Sequence, residues 1–267
     1  MVKLGVFDLD GTLLTGGGRL PETFREDMEL LRSRNVSVAI ASARPAQFLF
    51  EMFDGDTDLL ISGEDGNIFF RGRQLLHARY LSPELAARVY AIAAERDDMA
   101  VMCTGPEGLY VSAGHYDRFI RWGKGQFMPE APREPAGDEK ICKIHVFCRD
   151  GIGAAKQMAS TVFGGLRGDA EATESGYGWI GITGKGSDKA SAVRFFQQYL
   201  GIGVGETAVF GDSPNDIPMF GLAGYAFAMK NAPPEVQEKA GFITEEDNNH
   251  NGAVKALIGL TDPGSGG

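Results

Sequence analysis

The sequence predicts an α/β fold: a Rossmann-like parallel sheet core with helices on both faces, plus an inserted α+β domain. Two observations predict this fold class. Short apolar runs alternate with segments of helical spacing near both ends of the 267-residue chain, a pattern that is typical of βαβ units and a parallel sheet. The middle of the chain instead carries short strand patterns in pairs. We therefore expect a core formed by residues 1–82 and 182–267 and an insert formed by residues 83–181.

The first elements of the core are a strand, a helix and two further strands. Residues 2–7 form an apolar run that ends abruptly at Asp8, which predicts a buried strand. Residues 21–34 carry apolar side chains at helical spacing behind a proline, which predicts a helix. Residues 36–41 and 59–62 are apolar runs that predict the next two strands.

The inserted segment begins with a helix and continues with short strands. Ser82 followed by Pro83 is typical of a helix N-terminus, and the helical spacing continues over residues 85–96. Two strand patterns then follow across a glycine-containing turn, and a further strand, a helix and a strand-like stretch complete the segment. Their expected ranges are 99–104, 109–112, 141–148, 154–163 and 171–183.

The core pattern returns after the insert. Residues 189–199 have helical spacing, and residues 207–210 form another apolar run that predicts a strand. Residues 214–220 indicate a turn that leads into a helix, and residues 225–228 indicate a last short strand. The parallel-sheet domain is therefore expected to be split in the sequence by the insert.

Composition and charge restrict the classes of partner. The formal net charge of −10 and the pI of about 5.0 argue against a nucleic-acid surface, which needs basic stripes. No apolar stretch reaches the roughly 20 residues of a membrane span, and the acidic N-terminal segment is not a signal peptide. Three cysteines without a CxxC pair indicate a reduced protein without a disulfide framework. We therefore expect a cytoplasmic protein that binds neither nucleic acid nor membrane.

The strongest chemical motif is DLDGTL at residues 8–13. Ligands of open α/β sheets bind at the carboxyl ends of the strands, and Asp8 lies at such an end. Its carboxylate could attack phosphorus and form an aspartyl-phosphate, while Asp10 could protonate the leaving oxygen and later activate water. Two carboxylates so close together favour a bound Mg²⁺. The competing interpretation is an acidic turn after a strand, which the complete six-residue string makes less attractive.

A second acidic motif, GDSPND at residues 211–216, again follows an apolar strand. Asp212 is a candidate metal ligand, and Asp216 is a candidate for orienting the site or holding Lys189. The competing interpretation is a helix N-terminus rich in capping residues. The repetition of an acidic motif at a second strand end favours the metal site.

Two weaker elements complete the set of candidates. Ser42 follows the strand at 36–41, and its hydroxyl could hold phosphate oxygens. Lys189 lies at a predicted helix start and could neutralise a transferring phosphoryl group, with Lys185 as the competing candidate. No GxxxxGK[ST] string occurs in the sequence, which excludes a P-loop.

Together these motifs resemble the haloacid dehalogenase superfamily, specifically its Cof-type phosphatases with a C2B cap (class IIB), over almost the full length of the chain. The resemblance implies an Mg²⁺-dependent phosphatase with Asp8 as nucleophile and Asp10 as acid/base, in which residues 83–181 are a cap that reads the leaving group. It also implies ligands for the metal and for phosphate. The implied metal ligands are Asp8, Asp212 and the backbone carbonyl of Asp10, and the implied phosphate-binding residues are Leu9, Ser42, Ala43, Lys189 and Asn215.

The sequence departs from the family pattern in three places. Residues 41–44 read ASAR where ATGR is usual, and Ala190 follows Lys189 where glycine is typical. Residues 64–67 read EDGN where ENGA is common, so that Asp65 replaces a neutral amide with a charge. Arg44, Glu64 and Asp65 are accordingly candidates for the substrate side of the site, and Asp65 places in doubt any substrate that is inherited from the family.

The sequence thus predicts hydrolysis of small phosphate monoesters, with sugar phosphates as the first substrate class and phosphorylated cofactors as the second. The expected partner is a small phosphorylated metabolite, and the oligomeric state is not predicted. Two alternatives stay open. One is a phosphomutase that uses the same nucleophile, and the other is a non-catalytic ligand-binding protein on the same fold.

Overall fold

The computed structural model describes residues 1–124, 128–134, 139–166 and 170–262. The chain divides into two compact units, and each unit is formed by more than one segment of the sequence. The first unit comprises residues 1–44, 49–76 and 188–267, and the second comprises residues 45–48 and 77–187. The assignment of residues 83–181 as a functional cap stays a proposal.

The larger sheet has eight strands among the described residues. Their order across the sheet is β13 (Phe242–Ile243), β12 (Tyr225–Ala228), β11 (Thr207–Gly211), β1 (Leu4–Phe7), β2 (Ser37–Ala41), β3 (Leu60–Gly63), β4 (Ile68–Arg71) and β5 (Gln74–Ala78). The pairings from β13 to β3 are parallel, and β4 pairs with β3 in antiparallel orientation.

A ladder of four phenylalanines fixes the register of four parallel strands. Phe7, Phe210, Phe227 and Phe242 are register partners on neighbouring strands, and their rings stack at centroid distances of 4.7, 5.0 and 5.0 Å. Cross-strand aromatic pairs of this kind stabilise one pairing over a shifted one. The ladder therefore holds the ends of β1 and β11 at the same level of the sheet.

The helices of the first unit pack against this sheet. Helix α1 (Phe24–Ser33) contacts β2 and helix α9 (Gly252–Leu260). Helix α6 (Lys189–Leu200) contacts β2 and helix α7 (Ile217–Phe220). Gly5 on β1 leaves room for α9, because a Cβ at this position would lie 2.4 Å from the Cδ2 of Leu257. Two further helices are α2 (Ala46–Met52), which spans the division between the units, and α8 (Pro234–Gln237).

The second unit contains an antiparallel sheet in the order β7-β6-β8-β10-β9. One face of this sheet packs against α3 and α5 around a hydrophobic core. Ser82 begins α3, and its side chain accepts the N–H of Leu85, as expected of an N-cap. The elements are α3 Pro83–Ala94, β6 Met99–Gly105, β7 Gly108–Tyr110, α4 Ala113–Arg121, β8 Lys143–Cys148, α5 Ile152–Thr161, β9 Ala170–Glu174 and β10 Trp179–Gly184.

The predicted fold class is confirmed, with some elements that the sequence reasoning did not give. The hairpin of β4 and β5 extends the parallel sheet by antiparallel pairing and was not expected. The strand-like stretch at 171–183 is two strands joined by a turn, because Gly176 and Gly178 adopt positive φ between them. Within the described ranges, no helix combines the length and the apolarity that crossing a membrane requires.

Candidate active site

Asp8 lies immediately after β1, at the carboxyl end of the parallel sheet. Its backbone N–H donates to the carbonyl of Phe210 at 2.9 Å, which ties the residue to the end of β11. The side chain is buried, with 4% of the residue exposed. The Nζ of Lys189 donates to its Oδ1 at 2.5 Å. The nucleophile candidate is therefore a buried carboxylate that is paired with a buried ammonium group.

Lys189 is the first residue of α6. The N-cap of this helix is Asp188, whose carboxylate accepts the N–H of Ser191 at 2.8 Å. The ammonium group donates to Asp8 and also to the Oδ1 of Asp216 at 2.6 Å, and the Oδ1 of Asn215 lies 3.5 Å away. The capped helix start thus holds one cation between residues from two strand ends.

Asp216 orients the loop after β11 and is completely buried. Its Oδ2 accepts the backbone N–H groups of Asp212 and Ser213 at 3.0 and 2.9 Å, while its Oδ1 accepts from Lys189. Both oxygens of Asp216 therefore have protein donors. Gly211 is needed beside this carboxylate, because a Cβ there would lie 2.4 Å from the Cβ of Asp216.

Asp212 lies beside Asp8 and is only partly buried. The hydroxyl of Thr12 donates to its Oδ1 at 3.3 Å. Gly11 has φ +82°, and a Cβ on it would lie 2.3 Å from the Oδ2 of Asp212, so this position requires glycine for both conformation and space. One carboxylate oxygen each from Asp8, Asp212 and Asp216 lie within 4.8 Å of one another.

The electrostatics of this group show an excess of negative charge. Burial raises the pKa of the Asp8 carboxyl well above its usual range, the neighbouring carboxylates of Asp216 and Asp212 add to the effect, and Lys189 opposes it. Burial, followed by the charge of Asp216, likewise raises the pKa of Asp212. Burial would lower the pKa of Lys189, but the two carboxylates that it contacts outweigh this effect and raise it.

A divalent cation fits this set of residues. The ligand atoms offered are all carboxylate oxygens, which Mg²⁺ prefers, and few of them are needed because Mg²⁺ keeps several waters. Burial is the main cause of the raised pKa values of Asp8 and Asp212, and a cation would offset the neighbouring negative charge that adds to it. Because both oxygens of Asp216 accept protein hydrogen bonds, Asp8 and Asp212 are the better candidates for direct ligands.

Asp10 is not part of this carboxylate group. Its side chain is 58% exposed, and it accepts two hydrogen bonds from the guanidinium of Arg44, at 2.8 Å from Nε and 2.5 Å from Nη2. Ser42 is buried at the end of β2, and its hydroxyl accepts the backbone N–H of Arg44 at 3.1 Å. The structure therefore pairs the acid/base candidate with a residue that the sequence assigned to the substrate side.

The remaining candidates lie around the loop after β2. Glu64 and Asp65 both adopt left-handed backbone conformations, with φ of 56° and 55°. Their N–H groups donate to the carbonyls of Arg44 and Ser42 at 3.1 and 3.2 Å. Ala43 is half-buried in this loop. The side chain of Leu9 is completely buried, so any contact of Leu9 with phosphate would use its backbone.

Three residues that hold the loop after Asp10 were missed by the sequence reasoning. Thr12 contacts Asp212 as described, although it stood inside the first motif. The amide of Asn231 donates to the carbonyl of Gly11, and the amide of Asn248 donates to the carbonyl of Leu14, both at 2.8 Å. Asn231 lies shortly after the strand at residues 225–228, and no spacing rule links it to residue 11.

The chain is similar to known proteins in sequence and in fold. The sequence profile of the family described as haloacid dehalogenase-like hydrolase matches residues 6–257. A curated relative, the HMP-PP phosphatase of Klebsiella pneumoniae, is 28% identical over 249 residues, which cover 89% of this chain and 87% of the relative.

Solved structures share the fold over nearly the whole chain. A haloacid dehalogenase-like hydrolase from Bacteroides thetaiotaomicron superposes with a TM-score of 0.82 at 21% identity, covering 97% of this chain and 100% of that one. The subclass IIB sugar phosphatase BT4131 gives a TM-score of 0.74 at 20% identity, with 97% and 99% covered. At these identities the structural likeness shows the fold alone.

Proposed function

The chain belongs to the haloacid dehalogenase-like hydrolases of the Cof type and is a phosphoric monoester hydrolase, and we propose that it is an Mg²⁺-dependent phosphatase with Asp8 as its nucleophile. The proposal assigns to it small phosphorylated metabolites as substrates. It further assigns hydrolysis in two steps through an aspartyl-phosphate at Asp8.

One observation carries the proposal: Lys189 donates to the buried carboxylates of Asp8 and Asp216, beside the partly buried Asp212. Two carboxylates and one ammonium group are expensive to bury without a chemical purpose. Perturbed, buried titratable groups at strand ends are typical of catalytic sites. An acidic turn or a capped helix end, the competing interpretations of the two motifs, would not require a buried lysine between them.

The residues take the following roles in the proposed reaction. A carboxylate oxygen of Asp8 attacks phosphorus, and the bond from phosphorus to the leaving oxygen breaks while Asp10 donates a proton to that oxygen. In the second step water gives a proton to Asp10 and attacks the phosphorus of the aspartyl-phosphate, which releases inorganic phosphate and restores Asp8. Lys189 offsets the negative charge on the phosphoryl oxygens in both steps.

The other site residues bind and orient the phosphate. Ser42, Ala43 and Asn215 are proposed to hold phosphoryl oxygens, together with the backbone of Leu9. Asp8, Asp212 and the backbone carbonyl of Asp10 are proposed to hold Mg²⁺. The cation supplies charge neutralisation to the attacking carboxylate and to the transferring group, and Asp216 keeps Lys189 and the Asp212 loop in place.

Two substrate classes are proposed, in a definite order. Sugar phosphates come first, and the name of the structural neighbour BT4131 as a sugar phosphatase supports this choice. HMP-PP comes second because the curated relative from Klebsiella pneumoniae is named for it. The backbone N–H of Asp65 donates to the carbonyl of Ser42, so Asp65 lies next to the proposed phosphate-binding loop and is a candidate for setting the charge preference for the substrate.

The test is phosphate release from a panel of sugar phosphates, HMP-PP and para-nitrophenyl phosphate. We expect turnover with Mg²⁺ and no bisphosphate activator, loss of turnover in EDTA, recovery on adding Mg²⁺, and poor recovery with Ca²⁺, whose longer bonds and higher coordination disturb the in-line geometry. Full activity in EDTA would remove the metal from the proposal. A requirement for a bisphosphate would favour the phosphomutase alternative.

Two variants complete this test. Asp8→Asn replaces the nucleophile with a nearly isosteric amide and is expected to abolish turnover while the fold survives. Asp54→Asn is the matched control, because Asp54 is an exposed aspartate paired with Arg73 and has no proposed role. Activity of Asp8→Asn within tenfold of wild type, about 1.4 kcal/mol of barrier, would exclude Asp8 as the nucleophile.

A further inference from the structure

The pair of Arg44 and Asp10 joins two segments that are separated in the sequence by helix α1 and strand β2. The Nε and Nη2 groups, which lie on one edge of the Arg44 guanidinium, donate to the two carboxylate oxygens of Asp10. This two-point fork restrains the carboxylate in both position and plane, which a single ammonium contact would not do. Asp10 is otherwise an exposed side chain, with 58% of its surface accessible, and would be free to change rotamer.

Arg44 is itself held by its backbone on both sides. Its N–H donates to the hydroxyl of Ser42 at 3.1 Å, and its carbonyl accepts the N–H of Glu64 at 3.1 Å. The carbonyl of Ser42 accepts the N–H of Asp65 at 3.2 Å. The base of the arginine side chain is therefore fixed to the ends of both β2 and β3.

The turn that makes these contacts is held in an uncommon conformation. Three consecutive residues, Glu64, Asp65 and Gly66, have φ of 56°, 55° and 78°. Non-glycine residues adopt this region rarely, and they persist there only where the surroundings determine it. Gly66 lies so close to the start of α6 that a Cβ would be 2.2 Å from the carbonyl of Asp188. The turn thus braces the loop that carries Arg44 against the helix that carries Lys189.

We propose that Arg44 is a positioning residue for Asp10: its fork fixes the carboxylate for proton transfer, and the left-handed turn at residues 64–66 fixes Arg44. The inference deepens the proposed function and rests on it. Arg44 acts through Asp10 and does not contact the reacting atoms. It differs from the expectation in the sequence analysis, which placed Arg44 on the substrate side of the site.

The test is a double-mutant cycle on wild type, Arg44→Ala, Asp10→Asn and the double variant, with kcat and KM measured for a sugar phosphate and for para-nitrophenyl phosphate. If Arg44 acts through Asp10, Arg44→Ala lowers kcat for the sugar phosphate by about ten- to a hundredfold, as misplaced catalytic groups do, and leaves KM within about twofold. In the Asp10→Asn background its removal costs less than about twofold, because the group that it positions is already lost.

Two further variants separate positioning from a general structural effect. Arg44→Lys keeps the charge but offers one point of contact, so we expect it to recover only part of the lost kcat. Arg71→Ala is the matched control, because Arg71 also forms a surface ion pair, at 2.7 Å with Asp58, and it should leave kcat unchanged. Arg44→Ala should slow para-nitrophenyl phosphate less than the sugar phosphate, since an acidic leaving group needs little protonation.

The outcomes distinguish this inference from the proposed function. Losses that multiply in the double variant, or a rise in KM with kcat unchanged, would overturn the positioning role and make Arg44 a substrate ligand. Wild-type kcat in Arg44→Ala would also overturn it. A wild-type chain that releases no phosphate from any ester would overturn the proposed function, and the positioning role with it.

Discussion

Burial has a different outcome for Lys189 of the first unit than for one histidine and two cysteines of the second unit. In the first unit, Lys189 stays charged because the carboxylates of Asp8 and Asp216 raise its pKa against the effect of burial. In the second unit, burial favours neutral forms: it lowers the pKa of His115 to about 4 and raises the pKa of the thiols of Cys103 and Cys148 to about 12 and about 11. The difference separates groups retained for charge from groups retained for packing.

This difference has a physical reason. A buried charge is tolerated when partners compensate it, and it is usually less stabilising than an apolar replacement of similar volume. Local departures from optimal packing are expected at functional sites. The group of Lys189, Asp8 and Asp216 lies at strand ends, where the two acidic motifs meet. In the second unit, Cys103 and Cys148 belong to the hydrophobic core, and His115 is a buried residue of helix α4.

Removing the charge of Lys189 should give the largest effect. We expect Lys189→Met to lower kcat/KM by about a thousandfold or more, because the group that offsets the phosphoryl charge is lost. The variant should also lose about 3–5 kcal/mol in the free energy of unfolding, since two buried carboxylates are left uncompensated. Phosphate release and urea unfolding measure the two effects. Lys185→Met, an exposed lysine four residues earlier, is the control, and a larger loss in it would reverse the assignment.

Replacing Asp10 tests whether its role is proton transfer or metal binding. Asp10→Asn should leave Mg²⁺ affinity roughly intact, because the carboxylate lies with Arg44 and only the backbone carbonyl is proposed as a ligand. Breakdown of the aspartyl-phosphate should slow by about 10²–10⁴-fold. Single-turnover kinetics with Mg²⁺ titrated would check both. Equal slowing of the first step for a sugar phosphate and for para-nitrophenyl phosphate, together with a large loss of Mg²⁺ affinity, would show that Asp10 acts mainly through the metal.

The smallest effect is expected in the second unit, from His115. Its imidazole is buried beside Tyr90, and its Nδ1 has no hydrogen-bond partner among the residues that the structure describes. Because burial, and then Arg118, lower its pKa in the folded state, the unfolded chain binds the proton more tightly. Stability should therefore fall as the pH drops from the unfolded pKa of about 6.5 towards about 4.

The expected loss through His115 is at most about 3 kcal/mol, because each unit of difference between the folded and unfolded pKa corresponds to about 1.4 kcal/mol. Urea unfolding at several pH values, for wild type and His115→Leu, measures it. The variant should show a shallower decline than wild type over this pH range, while phosphatase activity near neutral pH is kept. An identical decline in both proteins would show that His115 does not contribute.

The sequence was sufficient for the parts of the fold and site that depend on local pattern. The apolar runs before Asp8 and Asp212 predicted two strands, and parallel strand ends meet at one edge of a sheet. These rules were enough to expect the two motifs side by side. Register, by contrast, depends on the phenylalanine ladder, whose members come from distant parts of the chain and follow no shared spacing.

Contacts that depend on the direction of a long side chain, or on a left-handed backbone conformation, were not predictable from the sequence. Arg44 could equally have pointed to solvent or to substrate, since nothing in its neighbours encodes a fork to Asp10. Asp65 followed by Gly66 is a turn signal, but it does not by itself predict the left-handed conformation of Glu64. The antiparallel pairing of β4 with β3 depends on that turn, whereas β4 and β5 are joined at residues 72–73, and neither pairing was expected.

The most direct test of the central claim is to find the phosphoryl group on Asp8. The Asp10→Asn variant, in which breakdown is slow, would be mixed with para-nitrophenyl phosphate, whose leaving group needs little protonation, and Mg²⁺, then quenched with acid, reduced with borohydride and analysed by peptide mass spectrometry. An aspartyl-phosphate at residue 8 becomes homoserine under this treatment, while Asp8→Asn gives no conversion. We predict homoserine at position 8 alone. Turnover without any conversion, or conversion at another aspartate, would contradict the account.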